Sequence, residues 1–297
     1  MKIANLTLKS PLILAPMLDI TNLPFRLLCR KAGASLAYTE MLYTNQILHK
    51  NKKTEEMLKT NKEDSPLGIQ ITGSSLEEFK KLIPFLKKSK FNLIDLNCGC
   101  PAARIIGTKA GSYLLKDPKK IAQIIKLLKQ TKKPVTAKIR LGFNKNNVLQ
   151  IAKAIEKAGA DAITIHPRKS NDSYEKPADW NEIKKLKSIL KIPVIANGDI
   201  FTPEDIKKVL EFADAVMLGR AAISNPQIFS LKENNTKENK LKILEQYLNL
   251  CSSTKVTDLQ KIKFTSSHIL SNFQGAAKLR NKLMKCKSFK EIEKITI

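Results

Sequence analysis

Residues 193–220 read PVIANGDIFTPEDIKKVLEFADAVMLGR, and this stretch contains the repeating unit of the chain. An apolar run at 193–198 is followed by an amphipathic stretch at 203–212 and by a second apolar run at 215–220. Thr202 marks the start of a helix, because a hydroxyl side chain can cap it and the proline that follows fits its first turn. The stretch therefore predicts a strand, a helix and a second strand.

The same pattern recurs along most of the chain. Further apolar, β-rich segments predict strands at 11–17, 36–41, 67–72, 91–97, 135–140 and 162–168. Amphipathic stretches between them predict helices at 75–89, 118–131, 147–158 and 181–190. Several strand segments are almost entirely apolar, which is typical of strands covered on both faces. Eight such units predict a (β/α)8 TIM barrel. A doubly wound sheet is the alternative, but no G-x-G-x-x-G motif follows the first strand.

The pattern changes after about Phe229. Strand-like runs stop, residues 231–239 are typical of a linker, and residues 240–297 have helical periodicity. We expect a catalytic barrel domain at 1–230 and a small, basic, all-helical domain at 240–297.

The charge of the chain is strongly positive, with 53 Lys and Arg against 27 Asp and Glu and a formal net charge of +26. Such an excess favours a polyanionic partner, because binding to phosphates releases counterions; a general composition bias is the alternative. No apolar stretch reaches the roughly 18 residues that cross a bilayer, and the N-terminus does not resemble a signal peptide. Five cysteines without a framework spacing favour a reduced, cytoplasmic setting.

Two of these cysteines, Cys98 and Cys100, stand one residue apart in DLNCGCP, residues 95–101. We expect no metal here, because a zinc site needs three or four ligands and no partner pair exists. A redox pair usually has C-x-x-C spacing. Strand alternation puts Cys98 out of phase with Asn97, so we expect its thiol to pack. Cys100 lies just past the strand end, where a thiol can act as a nucleophile or a proton donor.

Polar or special residues end most of the predicted strands, and in a barrel these ends meet at one mouth. Lys138 interrupts an apolar run, which is unfavourable unless its charge meets an anion or a polar ligand; a lysine that reaches solvent at the rim is the alternative. His166 ends another run, and this position, with Arg168 two residues later, favours a functional role; a satisfied core histidine is the alternative. The ends of the last two strands, where barrels commonly hold phosphate, carry glycine turns and an arginine. The residues at strand ends are Pro16, Met17, Gln70, Asn97, Gly99, Cys100, Lys138, Arg140, His166, Arg168, Asn197, Gly198, Asp199, Gly219 and Arg220.

Several segments in this order form a specific signature. They are LAPMLDITNLPFR (14–26), TEM (39–41), QITGS (70–74), DLNCGCP (95–101), AGSYLLKDP (110–118), AKIRLG (137–142), IHPR (165–168), PADW (177–180), ANGDI (196–200) and MLGR (217–220). Together they resemble the tRNA-dihydrouridine synthase family, flavoenzymes that reduce specific uridines in tRNA. The similarity covers about residues 10–230.

The resemblance implies FMN in the barrel, reduced by NADPH or NADH, and a C-terminal helical domain that helps to bind tRNA. Cys100 matches the catalytic cysteine of the family, and Asn97, Arg140 and Tyr174 match positions that contact the uracil. The positions implied to bind FMN are Pro16, Met17, Leu18, Gln70, Lys138, His166, Asn197, Gly198, Asp199, Gly219 and Arg220. Two positions depart from the family pattern: Leu18 replaces a small residue, and Pro167 stands where many members have glycine.

The resemblance also implies a mechanism in which hydride passes from N5 of FMN to C6 of the uracil and Cys100 protonates C5. Lys138 would stabilise negative charge at the flavin edge. We expect a cytoplasmic monomer. Two alternatives remain: a dihydroorotate dehydrogenase-like enzyme that acts on a free pyrimidine, and a non-catalytic tRNA-binding protein.

Overall fold

A computed structural model describes residues 1–50, 52–232 and 235–295, and its centre is a parallel β-barrel. Strands β1 (Lys2–Ile3) and β2 (Leu6–Thr7) form an antiparallel ribbon that the sequence patterns did not predict. The barrel strands are β3 (Leu12–Leu14), β4 (Ala37–Tyr38), β5 (Leu42–Tyr43), β6 (Leu67–Thr72), β7 (Leu93–Cys98), β8 (Val135–Arg140), β9 (Ala162–His166), β10 (Val194–Asn197) and β11 (Ala215–Leu218).

The barrel strands pair in parallel in the order β3-β11-β10-β9-β8-β7-β6-β4. A parallel bridge between Ile13 and Leu36 joins β3 to the chain just before β4 and completes the ring. The predicted (β/α)8 TIM barrel is therefore confirmed, and the doubly wound sheet is excluded.

The strand predicted at 36–41 is present but shorter than expected: β4 covers Ala37–Tyr38, and residues 39–41 have no regular structure before β5 begins. Both β4 and β5 pair with β6, at its two ends. Between them the Thr39 hydroxyl accepts a hydrogen bond from the backbone N–H of Gln70 at 3.1 Å. A side chain thus takes the place of a ladder carbonyl, and the strand is interrupted.

Helices cover the outside of the barrel, and those predicted lie close to their expected bounds. The helices of the barrel region are α1 (Leu23–Lys31), α2 (Thr44–Leu48), α3 (Lys52–Met57), α4 (Leu76–Lys88), α5 (Ala103–Gly107), α6 (Pro118–Lys129), α7 (Val148–Lys157), α8 (Trp180–Ile189), α9 (Pro203–Leu210) and α10 (Arg220–Ser224). Thr202 and Asp205 form a capping box at the start of α9, as the sequence predicted for this helix start.

The last part of the chain is helical, with α11 (Lys237–Ser253), α12 (Leu259–Ile269), α13 (Ala276–Lys285) and α14 (Phe289–Glu293). Helix α11 packs on α1, where the rings of Phe25 and Tyr247 meet edge to face with centroids 6.4 Å apart. Of the predicted linker 231–239, residues 233 and 234 lie outside the described residues, and residues 237–239 already belong to α11. The division into domains stays a prediction.

Strand β7 shows how the barrel core is layered. Ile94, Leu96 and Cys98 face the helices and belong to the large apolar cluster between sheet and helices. Leu93 faces the barrel interior and packs in a smaller apolar cluster at its base. Above that base the inward positions become polar, and this change in polarity begins the functional site. No helix in the described part of the chain is long and apolar enough to cross a membrane.

Candidate active site

The carboxyl ends of β8 to β11 and the loop after β3 surround a cleft with about 610 Å³ of empty space, part of it open to solvent. Most of the predicted cofactor residues line it. Leu18 lies beside the cleft and is 45% exposed, whereas Gln70 is buried below it. The predicted residues in the lining are Pro16, Met17, Lys138, His166, Tyr174, Asn197, Gly198, Asp199, Gly219 and Arg220, and the sequence did not single out Ala15, Ile200, Phe201, Met217 and Ala221.

Lys138 reaches the cleft from inside the barrel. Its Nζ donates to Asn197 Oδ1 at 2.7 Å, and Asn197 Nδ2 donates to the Met217 carbonyl at 2.8 Å, so β11 fixes the orientation of this amide. Burial and the charge of Arg140 lower the pKa of Lys138 to about 8, although Asp95 and Cys100 act in the opposite direction. A bound anion next to this ammonium would therefore stabilise its charged form.

His166 is neutral, and its tautomer follows from its neighbour. Arg168 Nη1 lies 3.0 Å from His166 Nε2. A guanidinium can only donate, so Nε2 accepts and Nδ1 carries the ring proton. Burial, together with Lys138, Arg140, Arg168 and Arg220, lowers the pKa of His166 to about 2. A triad would orient its histidine with a carboxylate that favours protonation. A cation does the opposite here, which disfavours His166 as a base for Cys100.

Arg168 is the residue of this region whose role the sequence did not assign. It is 1% exposed and donates to the carbonyls of Lys176 and Tyr174, at 2.6 and 3.0 Å. Its Nη1 and Nη2 also donate to the two carboxylate oxygens of Asp199, at 3.0 and 2.6 Å. The only signal in the sequence was its position two residues after His166. Arg168 ties the loop after β9, which carries Tyr174, to the end of β10.

The turn after β10 is held by the PADW segment. Ala178 donates its backbone N–H to Asp199 Oδ2 at 2.8 Å, and Trp180 Nε1 donates to the Gly198 carbonyl at 2.9 Å. Gly198 has a φ of +108°, and a Cβ there would lie 2.6 Å from Cδ2 of His166. Only glycine therefore fits this turn.

Asp199 uses its carboxylate within the protein. Besides Arg168, the Nη2 of Arg220 donates to its Oδ1 at 2.7 Å. Burial alone would raise the pKa of Asp199, but the hydrogen bonds and charges around it hold that pKa below its ordinary value. Gly198, Asp199 and Gly219 line the cleft beside Arg220, and each carries a backbone N–H group. These N–H groups, with the guanidinium of Arg220, suit a phosphate.

The Cys100 turn, residues 98–101, lies on the other side of the mouth. Asn97 Oδ1 accepts from the N–H groups of Gly99 and Cys100 at 3.2 and 3.0 Å. Arg140 Nε donates to the Gly99 carbonyl at 2.9 Å. The thiol of Cys100 is partly exposed, whereas Cys98 is buried, and burial raises the pKa of Cys98 well above its ordinary value. The packing predicted for Cys98 is confirmed, and the catalytic role of Cys100 stays a prediction.

The three predicted uracil contacts differ in exposure. Asn97 and Arg140 are 7% and 2% exposed and already bind the chain around Cys100, with Arg140 Nη1 also donating to the Lys169 carbonyl. Tyr174 is 56% exposed, and the guanidinium of Arg220 lies 4.6 Å from its ring centroid. Their contacts with uracil stay predictions. The described residues include no group of three or more His, Cys, Asp or Glu side chains that could hold a metal ion.

Comparisons with known proteins agree with the sequence signature. The family model described as dihydrouridine synthase (Dus) matches residues 13–296. The tRNA-dihydrouridine synthase B of Pasteurella multocida (strain Pm70) is 39% identical over 254 residues, which is 84% of this chain and 76% of that protein. The probable tRNA-dihydrouridine synthase of Aquifex aeolicus (strain VF5) is 34% identical over 303 residues, 96% of this chain and 95% of that protein.

Solved structures support the fold. Histamine dehydrogenase from Rhizobium sp. 4-9 has a TM-score of 0.56 at 12% identity, covering 84% of this chain and 50% of that one. The old yellow enzyme homologue from Zymomonas mobilis has a TM-score of 0.52 at 12% identity, covering 77% and 89%. Similarity at these identities concerns the barrel alone. The family model and the sequence relatives decide the family: the chain belongs to the dihydrouridine synthase family.

Proposed function

We propose that the protein reduces the C5–C6 double bond of specific uridines in tRNA, with FMN as its bound cofactor. Family membership and the names of the relatives support the reaction. One structural observation supports this site: Cys100, the only partly exposed cysteine among the described residues, lies just past β7, whose Asn97 pairs with Lys138 of the cleft.

The residues around the cleft fit FMN. Gly198 leaves no room for a side chain, so the backbone itself faces the cleft. We assign the phosphate to the N–H groups of Gly198, Asp199 and Gly219 with Arg220, and the electron-rich edge of the ring to Lys138. The remaining contacts are assigned to Pro16, Met17, Leu18, Gln70, His166 and Asn197. Because the carboxylate of Asp199 is bound by two arginines, its contribution is its backbone rather than its charge.

When bound, FMN reduced by NADPH or NADH would supply a hydride from N5 to C6 of the uracil. Cys100 then supplies the matching proton: its Sγ–H bond breaks, a C–H bond forms at C5, and the thiolate keeps the electron pair. The nearby ammonium of Lys138 stabilises that thiolate by charge. Hydride and proton together account for the two electrons and two hydrogens of the product.

The substrate must be an extruded base. A uridine inside folded RNA cannot enter the cleft in place, and its extrusion costs a few kcal/mol. Contacts between RNA phosphates and a chain of net charge +26 can offset that cost. Tyr174, exposed beside the cleft, is assigned to the face of the base. We assign the helices from α11 onward to tRNA binding, and we expect the enzyme to be a cytoplasmic monomer.

The test is to express the chain in cells that lack dihydrouridine and to map by mass spectrometry which tRNA positions gain it. Cys100→Ala is expected to lose product by about 10²-fold or more, because it removes a general acid, while its bound flavin is still reduced by NADPH.

Cys98→Ala is the matched control and should form product at close to the wild-type rate. Product formation by Cys100→Ala at the wild-type rate would refute the role of the thiol. Turnover of dihydroorotate without RNA would instead favour an enzyme that acts on a free pyrimidine.

A further inference from the structure

A chain of side-chain hydrogen bonds runs from the barrel interior to the Cys100 turn. Gln70 Nε2 donates to Asp95 Oδ2 at 2.8 Å, and Asn97 Nδ2 donates to Gln70 Oε1 at 2.9 Å. Asn97 Oδ1 then accepts from the backbone N–H groups of Gly99 and Cys100. Asp95 and Gln70 are 0% and 1% exposed, so water cannot replace these partners.

The two ends of this chain have fixed polarity. An ionised carboxylate can only accept hydrogen bonds, and a backbone N–H can only donate. Each amide between them has one accepting and one donating end, so a single orientation of Gln70 and of Asn97 satisfies both ends. Reversing either amide would leave buried hydrogen-bonding groups unpaired, which is unfavourable.

We propose that Asp95 is a positioning residue, which fixes the Gln70 and Asn97 amides and through them the turn that presents Cys100. Asp95 lies one layer below Lys138 and does not line the cleft. Its other carboxylate oxygen accepts from the Thr136 hydroxyl at 2.6 Å. That bond is a side branch, because it does not lead to the turn.

The ionisation state of Asp95 supports its role as the accepting end of the hydrogen-bond chain. Burial raises its pKa to about 6, while the hydrogen bonds from Thr136 and Gln70 and the charge of Lys138 act against a larger rise. The carboxyl group is therefore mainly ionised at neutral pH. The pKa values of Tyr38 and Cys98 are raised by their own burial and further by the negative charge of Asp95, so both neighbours remain neutral and compete for no proton.

The first test compares two substitutions on the same carboxylate network. Asp95→Leu removes the acceptor for Gln70, whereas Thr136→Val removes only the side branch and serves as the matched control. The readout is the rate at which iodoacetamide alkylates Cys100; the other four cysteines are buried and are followed as internal references. Asp95→Leu is expected to speed alkylation of Cys100, because the turn is released, and Thr136→Val is expected to leave the rate unchanged.

Activity should follow the same division. Because a misplaced catalytic group costs about 10²-fold, Asp95→Leu is expected to lower kcat by about 10- to 100-fold with little change in KM for tRNA. Asp95→Asn should largely restore both readouts, since its amide can still present an oxygen to Gln70 while Thr136 accepts from its NH₂ group. Equal effects of Asp95→Leu and Thr136→Val would overturn the proposal, because a general loss of packing would then explain both.

A second test works even if Asp95→Leu fails to fold. Asn97→Asp alone places carboxylates at both ends of Gln70, and the amide can satisfy only one of them. The exchange Asp95→Asn with Asn97→Asp restores every bond with the Gln70 amide reversed, so it should recover the melting temperature lost in Asn97→Asp. An exchange no more stable than Asn97→Asp would refute the connection through Gln70.

The inference rests on the proposed function only for the meaning of Cys100 as an acid. Alkylation rates and the stability of the exchange do not depend on RNA or flavin. If Cys100→Ala were fully active but the exchange rescued stability, the acid role of Cys100 would fail and the positioning chain would stand. If Cys100→Ala were inactive and the exchange did not rescue stability, only the positioning role of Asp95 would be refuted.

Discussion

The two sides of the barrel mouth are both built from strand ends, but they differ in charge. On the β6–β8 side, neutral amides lead from a buried carboxylate to the Cys100 turn. On the β9–β11 side, Arg168 and Arg220 converge on Asp199 beside the glycine turns that line the cleft. In the proposed function, the first side orients Cys100 as a proton donor, and the second side provides positive charge for the phosphate of FMN.

The two sides also differ in burial, and this difference decides how substitutions should act. The side chains of the Asp95 chain are almost fully buried, so their effects should act through geometry and reach the rate of the reaction. Arg220 has a side chain that is 46% exposed, so its attraction for an anion is weakened by solvent and salt. Substitutions on the β9–β11 side should therefore act mainly on binding.

The largest effect on binding is expected from Gly198→Ala. A side chain at this position combines a φ of +108° with a Cβ 2.6 Å from the His166 ring, so the turn that faces the cleft must move. We expect FMN affinity to fall by about 10²-fold, as for a displacement of about 1 Å at a positioned group. Flavin absorbance after gel filtration and titration of the apoprotein measure this loss.

Gly107→Ala is the matched control, because a Cβ at Gly107 meets nothing within 4 Å. Flavin retention by Gly198→Ala equal to that of Gly107→Ala would show that the turn after β10 does not hold the phosphate.

A smaller effect is expected from Lys138→Met, with a distinctive pH dependence. Since the pKa of Lys138 is about 8 in the protein without ligand, its ammonium is charged below that pH and neutral above it. The electron-rich ring edge of FMN therefore binds Lys138 best at low pH, where the ammonium is charged, and FMN affinity should fall as the pH rises through about 8. In Lys138→Met, FMN affinity should not fall as the pH rises through 8. This variant should bind FMN about tenfold more weakly at pH 7, as expected for one charged hydrogen bond.

Lys240→Met provides the control for this prediction. The pKa of Lys240 is also lowered to about 8 by burial, but its Nζ donates to the Ser224 carbonyl outside the cleft. In Lys240→Met, FMN affinity should still fall as the pH rises through about 8. If the fall in FMN affinity near pH 8 persisted in Lys138→Met, or disappeared in Lys240→Met, a group other than Lys138 would be responsible for it.

The sequence predicted the charged side of the mouth better than the neutral side, for a physical reason. Glycine turns and cations at strand ends are local features, and they identified Gly198, Asp199 and Arg220. Asp95 stands inside an apolar strand, and its partners Gln70 and Thr136 lie 25 and 41 residues away. Pairing across strands is invisible in one sequence, so a carboxylate that ends a hydrogen-bond chain has no local signature.

The fold shows the same limit. Near-continuous apolar runs predicted β6 and β8 with their observed bounds, because their residues depend mainly on burial. The strand predicted at 36–41 was too long, because a Thr39 hydroxyl takes the place of a ladder acceptor after β4. The roles of Arg168 and Asn97 likewise depend on backbone groups of neighbouring loops, which periodicity does not locate.

The smallest effect is expected from Tyr174→Leu, which tests where the two sides meet. The ring lies between Arg140 from the Cys100 side, at 5.8 Å, and Arg220 from the phosphate side, at 4.6 Å. A cation–π contact at an exposed ring contributes about 0.5–1 kcal/mol, so folding should be nearly unchanged. KM for tRNA should rise by about two- to fivefold with kcat retained. Tyr174→Phe keeps the ring and should match the wild type in steady-state kinetics. If Tyr174→Phe were as impaired as Tyr174→Leu, the hydroxyl rather than the ring would be the contact, and Tyr174 would belong to a hydrogen-bonded site instead of a stacking surface between the two sides.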